Sequence, residues 1–123
     1  MKEFGFEKLE VWQNSKKLTL QIYRLTKTFP SDKKYGLTSQ MRRAVVSVNS
    51  NIAEGSSRVS LKDQAHFYHL AYSSLMEVLS QVLISIELEY TSHNSENDLR
   101  AEISKISNQL NALRNSALDK VNK

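Results

Sequence analysis

The sequence predicts an all-α fold, an antiparallel up-down-up-down four-helix bundle, on three observations. Apolar residues recur at steps of three and four along four segments, as they do on the buried side of amphipathic helices. Three short stretches rich in Gly, Pro, Ser or Asn separate these segments, and no segment alternates apolar and polar residues like a strand. The 123 residues are one domain's length, so we expect a single bundle over residues 1–123.

The first two helices are expected at residues 7–28 and 38–54. Gly55 follows the second helix directly, and glycine enters the left-handed conformation at low cost, so we expect it to cap that helix's C-terminus. The predicted core-facing seam of the first helix is Val11, Ser15, Leu18, Ile22, Leu25 and Phe29. The predicted seam of the second is Leu37, Met41, Ala44, Val48 and Ile52.

The third and fourth helices are expected at residues 61–90 and 96–118. Ser60 with Asp63, and Ser95 with Asp98, have the spacing by which a serine side chain caps a helix N-terminus. The seam of the third helix is Leu61, Ala65, Tyr68, Tyr72, Leu75, Leu79, Val82 and Ile86. The seam of the fourth is Leu99, Ile103, Ile106, Leu110, Leu113 and Ala117.

A second set of apolar residues lies opposite the seams of the first and third helices. Apolar residues on a bundle's outer face indicate coverage by another subunit, although scattered surface apolar residues are also common. A contact between the first helix of one subunit and the third of the next is heterologous and can close into a ring. The expected interface residues are Leu9, Trp12, Leu20, Tyr23, Leu70, Ile84 and Leu88.

Positive charge is concentrated in the N-terminal half. The net charge is +4, and residues 1–36 hold eight Lys or Arg against four acids, whereas residues 61–93 hold one against four. A basic face can attract nucleic acid or an acidic protein, although most such faces are simply solvated. The candidate phosphate contacts are Lys16, Lys17, Arg24, Arg42, Arg43 and Arg58.

Polar residues also follow one flank of the second helix, beside its seam. They allow two interpretations: a stripe that binds a ligand or phosphate, or a network of satisfied polar groups. The second is favoured, with Arg43 pairing Glu54 or Glu77 and Asn51 bonding to backbone, because buried polar groups usually find partners within the protein. The predicted network contains Gln40, Arg43, Asn51, Glu54 and Glu77.

Several kinds of chemistry are excluded or unsupported. The absence of cysteine excludes disulfides, thiol catalysis and cysteine-based zinc sites. His66 and His69 are spaced so that they could share a metal, but a zinc site needs three or four ligands, so we expect no metal site. We also expect no cofactor and no enzymatic activity. The first ten residues lack the apolar core of a signal peptide, and no apolar run approaches the ~20 residues of a membrane span. We therefore expect a cytoplasmic protein that does not contact a membrane.

One set of motifs resembles a known family. These are Leu9-Glu10-Val11-Trp12, Ile22-Tyr23, Phe29-Pro30, Tyr35-Gly36-Leu37-Thr38-Ser39-Gln40, Arg42-Arg43-Ala44, Ser47, Asn51-Ile52-Ala53-Glu54-Gly55, Arg58, Ala71, Ser74, Leu75 and Glu77. The chain, from about residue 6 to 113, resembles the four-helix bundle family associated with intervening sequences of bacterial large-subunit rRNA genes. Family members often carry an acid, Pro and Gly where this chain has Lys33, Asn49 and Ser73.

The resemblance implies a cytoplasmic homopentamer with no established catalytic activity. The family is also similar to accessory proteins of diversity-generating retroelements, which are basic pentamers that work with nucleic acid. The leading hypothesis is therefore a non-enzymatic, oligomeric protein that contacts RNA or DNA phosphates. The alternative is an oligomeric scaffold that binds a protein partner and no nucleic acid.

Overall fold

The computed structural model describes residues 2–31 and 34–122, which form an antiparallel bundle of four α-helices with no β-strand among them. Each helix contacts the next along the chain, and the last returns to contact the first. The predicted fold class is therefore confirmed. The helices are α1 (Glu10–Lys27), α2 (Ser39–Ser57), α3 (Leu61–Glu87) and α4 (Glu96–Val121).

Shorter helical segments account for part of the difference from the predicted helix bounds. A 3-10 helix (Gly5–Lys8) precedes α1, and the extended backbone of Leu9 separates the two, so the predicted helix over 7–28 is two elements. A π-helix (Lys34–Thr38) leads into α2, and a 3-10 helix (His93–Ser95) leads into α4. Compared with the predictions 38–54, 61–90 and 96–118, α2 and α4 end three residues later and α3 three residues earlier.

The four seams meet in one core. Eight of its larger side chains are fully buried, and each contributes about 1.5–3 kcal/mol relative to exposure: Leu18, Ile22, Met41, Ile52, Leu75, Ile103, Ile106 and Leu110. Val45, Ala71 and Val78 are also buried although they lie outside the predicted seams. These three residues lie on α2 and α3, which pack most extensively against their neighbours, so each buries a wider stripe than a single seam.

Gly55 lies inside α2 instead of capping it. The helix continues to Ser57, and Arg58 is the capping residue with extended backbone, so the predicted glycine cap is wrong. Gly55 is buried, and a Cβ atom there would lie 2.9 Å from Tyr68 Cε1 and 3.1 Å from Phe67 Cβ. The missing side chain therefore allows α2 and α3 to approach closely at the turn that joins them.

The ends of α3 and α4 differ in how they are capped. The Ser60 hydroxyl accepts a hydrogen bond from the Asp63 amide, as predicted, whereas the Ser95 side chain makes no capping bond, so that prediction is wrong.

At the C-terminal end of α3, Tyr90 N donates to Ser85 O at 3.0 Å, and Glu89 has a φ of 62°. This is a Schellman motif with glutamate at the left-handed position where glycine is usual.

By length and composition, α3 is apolar enough to cross a membrane. Glu77 is the only Lys, Arg, Asp or Glu between His69 and Glu87, which raises the mean hydropathy of this stretch, although serines, Gln81 and Glu77 interrupt its apolar runs. The core helix of a soluble protein meets the same criterion, and in this bundle α3 packs between α2 and α4.

Tyr68, which packs against Gly55, has an altered acidity. Burial raises the pKa of its phenol, because desolvation disfavours the phenolate. The pKa is higher in the folded than in the unfolded state, so this group's contribution to stability is complete below the unfolded value of 10.0 and is lost as pH rises through the folded value.

We predict that Gly55→Ala lowers the free energy of unfolding. Overpacking a tight contact costs typically about 1–3 kcal/mol, which exceeds the ~1 kcal/mol that alanine gains over glycine in a helix. Urea unfolding followed by circular dichroism measures the difference. Gly5→Ala is the control, since no atom lies within 4 Å of the added Cβ. A Gly55→Ala variant as stable as the parent would contradict the close-approach account.

Candidate nucleic-acid interface

Positive charge collects on one half of the bundle. From Val11 to Ala53 the sequence contains eight Lys or Arg residues and one acid, whereas residues 54–123 contain nine acids and seven Lys or Arg. Asp32 and Lys33 lie outside the described residues. Because α1 and α2 are adjacent, the six basic residues on these two helices share one side of the fold: Lys16, Lys17, Arg24, Lys27, Arg42 and Arg43. We call this side the α1–α2 half, and its charge creates a positive potential there.

Most of the exposed cations of the α1–α2 half lie on the outer face of α1. Lys16, Lys17, Arg24 and Lys27 are all exposed along a helix of 18 residues. The ammonium of Lys16 lies 5.4 Å from the centroid of the Trp12 ring, a cation–π distance. The ion pairs between described residues are Arg58–Glu54, Arg100–Glu96 and Lys105–Glu102, and none of them includes a residue of α1.

Arg42 is held against the end of α1. Its Nε donates to Thr26 Oγ1 at 2.9 Å, and its Nη2 donates to the Tyr23 carbonyl oxygen at 3.4 Å. The guanidinium carbon lies 4.6 Å from the centroid of the Tyr23 ring. A cation near a helix C-terminus also interacts favourably with the helix dipole. Arg42 therefore fastens α2 to α1 and is fixed in place.

The remaining two predicted phosphate contacts differ from each other. Arg43 is exposed on α2, within the α1–α2 half. Arg58 follows α2, pairs with Glu54 at 3.2 Å and stacks 4.4 Å from the centroid of the Phe67 ring. Arg58 is thus engaged at the turn between α2 and α3. The α1–α2 half brings together the other five candidates: Lys16, Lys17, Arg24, Arg42 and Arg43.

A cleft of about 390 Å³ opens between α1 and the start of α4, beside Arg24. Asp98 lines the same cleft, so an acid lies near the α4 edge of the positive face. Elsewhere, His66 and His69 are exposed on α3. The described residues contain no cluster of three or more side chains that could hold a metal ion.

The polar flank of α2 forms only part of the predicted network. Asn51 Nδ2 donates to the Ser47 carbonyl oxygen at 2.9 Å, and the hydroxyls of Ser47 and Ser74 lie 2.9 Å apart, which joins α2 to α3. Gln40, Arg43 and Glu77 are exposed. Within the described part of the chain, Arg43 pairs with neither Glu54, which binds Arg58, nor Glu77.

Polar contacts on both sides of α1 are the feature that the sequence did not reveal. Asn49 Nδ2 donates to Ser15 Oγ, and the Thr19 hydroxyl contacts Asn49 Oδ1, so these three residues join α1 to α2. On the other side, Asn14 Nδ2 donates to Gln109 Oε1 at 3.0 Å and joins α1 to α4. A polar residue such as Ser15 within an apolar seam signals that a buried partner is needed, but does not say which.

The residues expected at a subunit interface fall into two groups. Leu9 and Trp12 are half-buried and pack against the chain's own core, with Trp12 also against the ring of Phe6 at 5.1 Å. Leu70 is half-buried on α3, and Tyr23 is 36% exposed beneath Arg42. Three residues have about half of their surface exposed: Leu20 (49%), Ile84 (47%) and Leu88 (51%).

Comparison with known proteins gives one family and one fold. A family model described as the 23S rRNA-intervening sequence protein matches residues 7–112. The crystal structure of a protein of unknown function from the S23 ribosomal protein family of Bacteroides thetaiotaomicron is similar, with a TM-score of 0.78 and 20% identity over 85% of this chain and 97% of that chain. At that identity the likeness supports the fold alone. No curated protein matches the chain.

We predict that Asn49→Ala destabilises the bundle, since it removes the side chain that bridges Ser15 and Thr19. Ser15 Oγ still donates to Trp12 O and Thr19 Oγ1 to Ser15 O, so the cost is that of two lost interhelical hydrogen bonds, about 0.5–1.5 kcal/mol each. Ser50→Ala, at the exposed neighbouring position, is the control and is expected to stay within about 0.5 kcal/mol of the parent. Chemical unfolding of the three proteins at one concentration measures this, and equal midpoints would show that the bridge does not stabilise the fold.

Proposed function

Because the chain belongs to the family of 23S rRNA-intervening sequence proteins, we propose that it is a cytoplasmic, non-enzymatic protein that binds nucleic acid through the α1–α2 half. The observation that carries this proposal is the eight basic residues against one acid between Val11 and Ala53. Neutralising phosphates releases condensed counterions, which is the main source of sequence-independent affinity. The family's description makes ribosomal RNA the first nucleic acid to test.

The exposed face of α1 suits several phosphate contacts at once. Its 18 residues span about 27 Å, and duplex DNA carries a negative charge every ~1.7 Å along its axis. Lys16 and Lys17 have flexible side chains that can reach different phosphates, and Arg24 lies about two turns further along. Contacts of this kind position a protein on nucleic acid without reading its sequence.

The exposed titratable groups favour a non-enzymatic role. His66, His69 and Glu77 all lie on the exposed side of α3. Catalytic acids and bases usually lie in clefts, where burial and neighbouring charges adjust their pKa values. The alternative, a scaffold for an acidic protein, would use the same positive half, so only a direct binding measurement separates the two functions.

We predict that the chain binds an rRNA fragment and duplex DNA with an affinity that falls steeply with salt. On duplex DNA the slope is roughly 0.9 log units per log unit of salt for each phosphate neutralised. Arg24→Ala is expected to reduce that slope by the contribution of about one phosphate contact. Lys105→Ala removes a charge from α4, where Lys105 pairs with Glu102 at 3.3 Å, and serves as the control. Fluorescence anisotropy measures both, and no binding at low salt would refute the proposed function.

Self-association is a second proposal, supported by the outer face of α3. Leu70 and Ile84 lie fourteen residues apart, and therefore on one side of the helix, with the exposed Leu88 one turn beyond. Glu77 lies midway between them, so a neighbouring subunit would have to supply a cation. The basic outer face of α1, with Leu20 at its centre, offers both cations and an apolar residue, so a neighbouring α3 and a nucleic acid would compete for this face. Such a heterologous contact can close into a ring, and the resemblance to the family implies five subunits.

We predict an oligomer at micromolar concentration, measured by light scattering. Ile84→Asp is expected to dissociate it, because a charge in a buried apolar contact lacks a partner. Leu118→Asp, at a 40%-exposed position near the end of α4, is the control and should remain oligomeric. Leu20→Asp tests the α1 side better than Trp12→Ala, because Trp12 packs against the core. A monomeric parent protein would refute the assembly.

A further inference from the structure

A layered stack of Tyr23 and Arg42 lies on the outer surface between α1 and α2. The Arg42 guanidinium covers the Tyr23 ring at 4.6 Å, and its bonds to Thr26 Oγ1 and the Tyr23 carbonyl fix its orientation. Tyr23 as a whole is 36% exposed. The guanidinium is therefore held over the ring by intramolecular contacts, and a ligand that binds this layer does not have to order it.

Apolar side chains flank the layer. Two of the contacts that join α1 to α2, Thr19 with Asn49 and Thr26 with Arg42, lie one above and one below Tyr23 along α1. Val46, on α2, lies between the same two contacts and is 41% exposed. Leu20, one turn before Tyr23, is 49% exposed. The patch is thus a flat polar-aromatic layer with an apolar border.

Lysines lie on the same side of α1 as the layer. Lys16, Leu20, Tyr23 and Lys27 follow steps of four, three and four, so they form one row along the helix. Both lysines are exposed. No acid occurs between Val11 and Ser31, nor between Ser39 and Ala53, so this surface of the two helices carries no negative side chain.

We propose that this patch stacks an unpaired base of a single-stranded nucleic acid, while Lys16 and Lys27 contact the phosphates on either side. This inference rests on the proposed function and names the form of nucleic acid that it prefers. Bases stack on aromatic rings and on arginine guanidinium planes, and a base must be unstacked to do so. The faces of bases inside a duplex are already covered by their neighbours, so a duplex engages only the lysines.

The sharpest test compares strands of equal charge that carry or lack bases. Fluorescence anisotropy is measured with labelled oligouridylate, oligothymidylate and an abasic deoxyribose-phosphate strand of the same length. The parent protein is expected to bind the two base-bearing strands roughly tenfold more tightly than the abasic strand, the usual effect of one stacked base. Similar affinities for oligouridylate and oligothymidylate, both above that for the abasic strand, would show base stacking. Tight binding of oligouridylate alone, with oligothymidylate bound no better than the abasic strand, would show recognition of the ribose and overturn the proposal.

Variants locate the stacking surface. Tyr23→Ala is expected to abolish the preference for base-bearing strands and to leave abasic binding unchanged, whereas Tyr23→Phe keeps the preference. Arg42→Lys keeps the charge but removes the planar group, so the preference falls. Arg24→Ala, on the α4 side of α1, weakens binding to all three strands equally. Circular dichroism checks that each variant is folded.

Three results would overturn the inference. Equal binding of base-bearing and abasic strands by the parent protein refutes stacking but leaves the proposed function intact. A Tyr23→Ala variant that keeps the preference shows that the base stacks elsewhere. A smaller oligomer for Tyr23→Ala in light scattering assigns the patch to a second copy of the chain. Absence of binding to these strands, to the rRNA fragment and to duplex DNA would refute the proposed function itself.

Discussion

The close approach of α2 and α3 at Gly55 is the constraint on which the bundle depends. With no Cβ at this position, the ring of Tyr68 and the Cβ of Phe67 can pack directly against the α2 backbone. A turn of only three residues, Arg58 to Ser60, then reverses the chain. The fully buried Ile52 and Leu75 then face a common core with α4. Arg58 lies over the Phe67 ring at the same turn, so its guanidinium is engaged in a cation–π contact there and not in the α1–α2 half.

The remaining helix, α1, is attached by polar as well as apolar contacts. Asn49 holds it to α2, Gln109 holds it to α4, and Arg42 holds its C-terminal end. Because these bonds use the two edges of α1 and the seam uses its inner side, the outer side has no structural task in the monomer. That side carries exposed lysines without an intervening acid. We therefore place the proposed binding surface there.

The sequence predicted what depends on local periodicity, and less of what depends on neighbours. Helical seams were recognised because their spacing is a property of one helix, but the burial of Val45 and Val78 depends on how closely two neighbouring helices pack. The position of Gly55 at the end of a periodic segment predicts a helix cap, but its actual role depends on Tyr68, which approaches it from another helix. Charge counts predicted a basic half, while the fixing of Arg42 over Tyr23 requires the register of α1 against α2.

Binding of nucleic acid to the α1–α2 half can be located by photo-crosslinking to thiouridine-labelled rRNA fragments, followed by mass spectrometry of the peptides. This measurement works for any oligomeric state. Crosslinked peptides are expected between residues 11 and 53, with few or none from α3 and α4. Crosslinks concentrated between residues 61 and 121, or none under low-salt conditions, would contradict binding at the α1–α2 half.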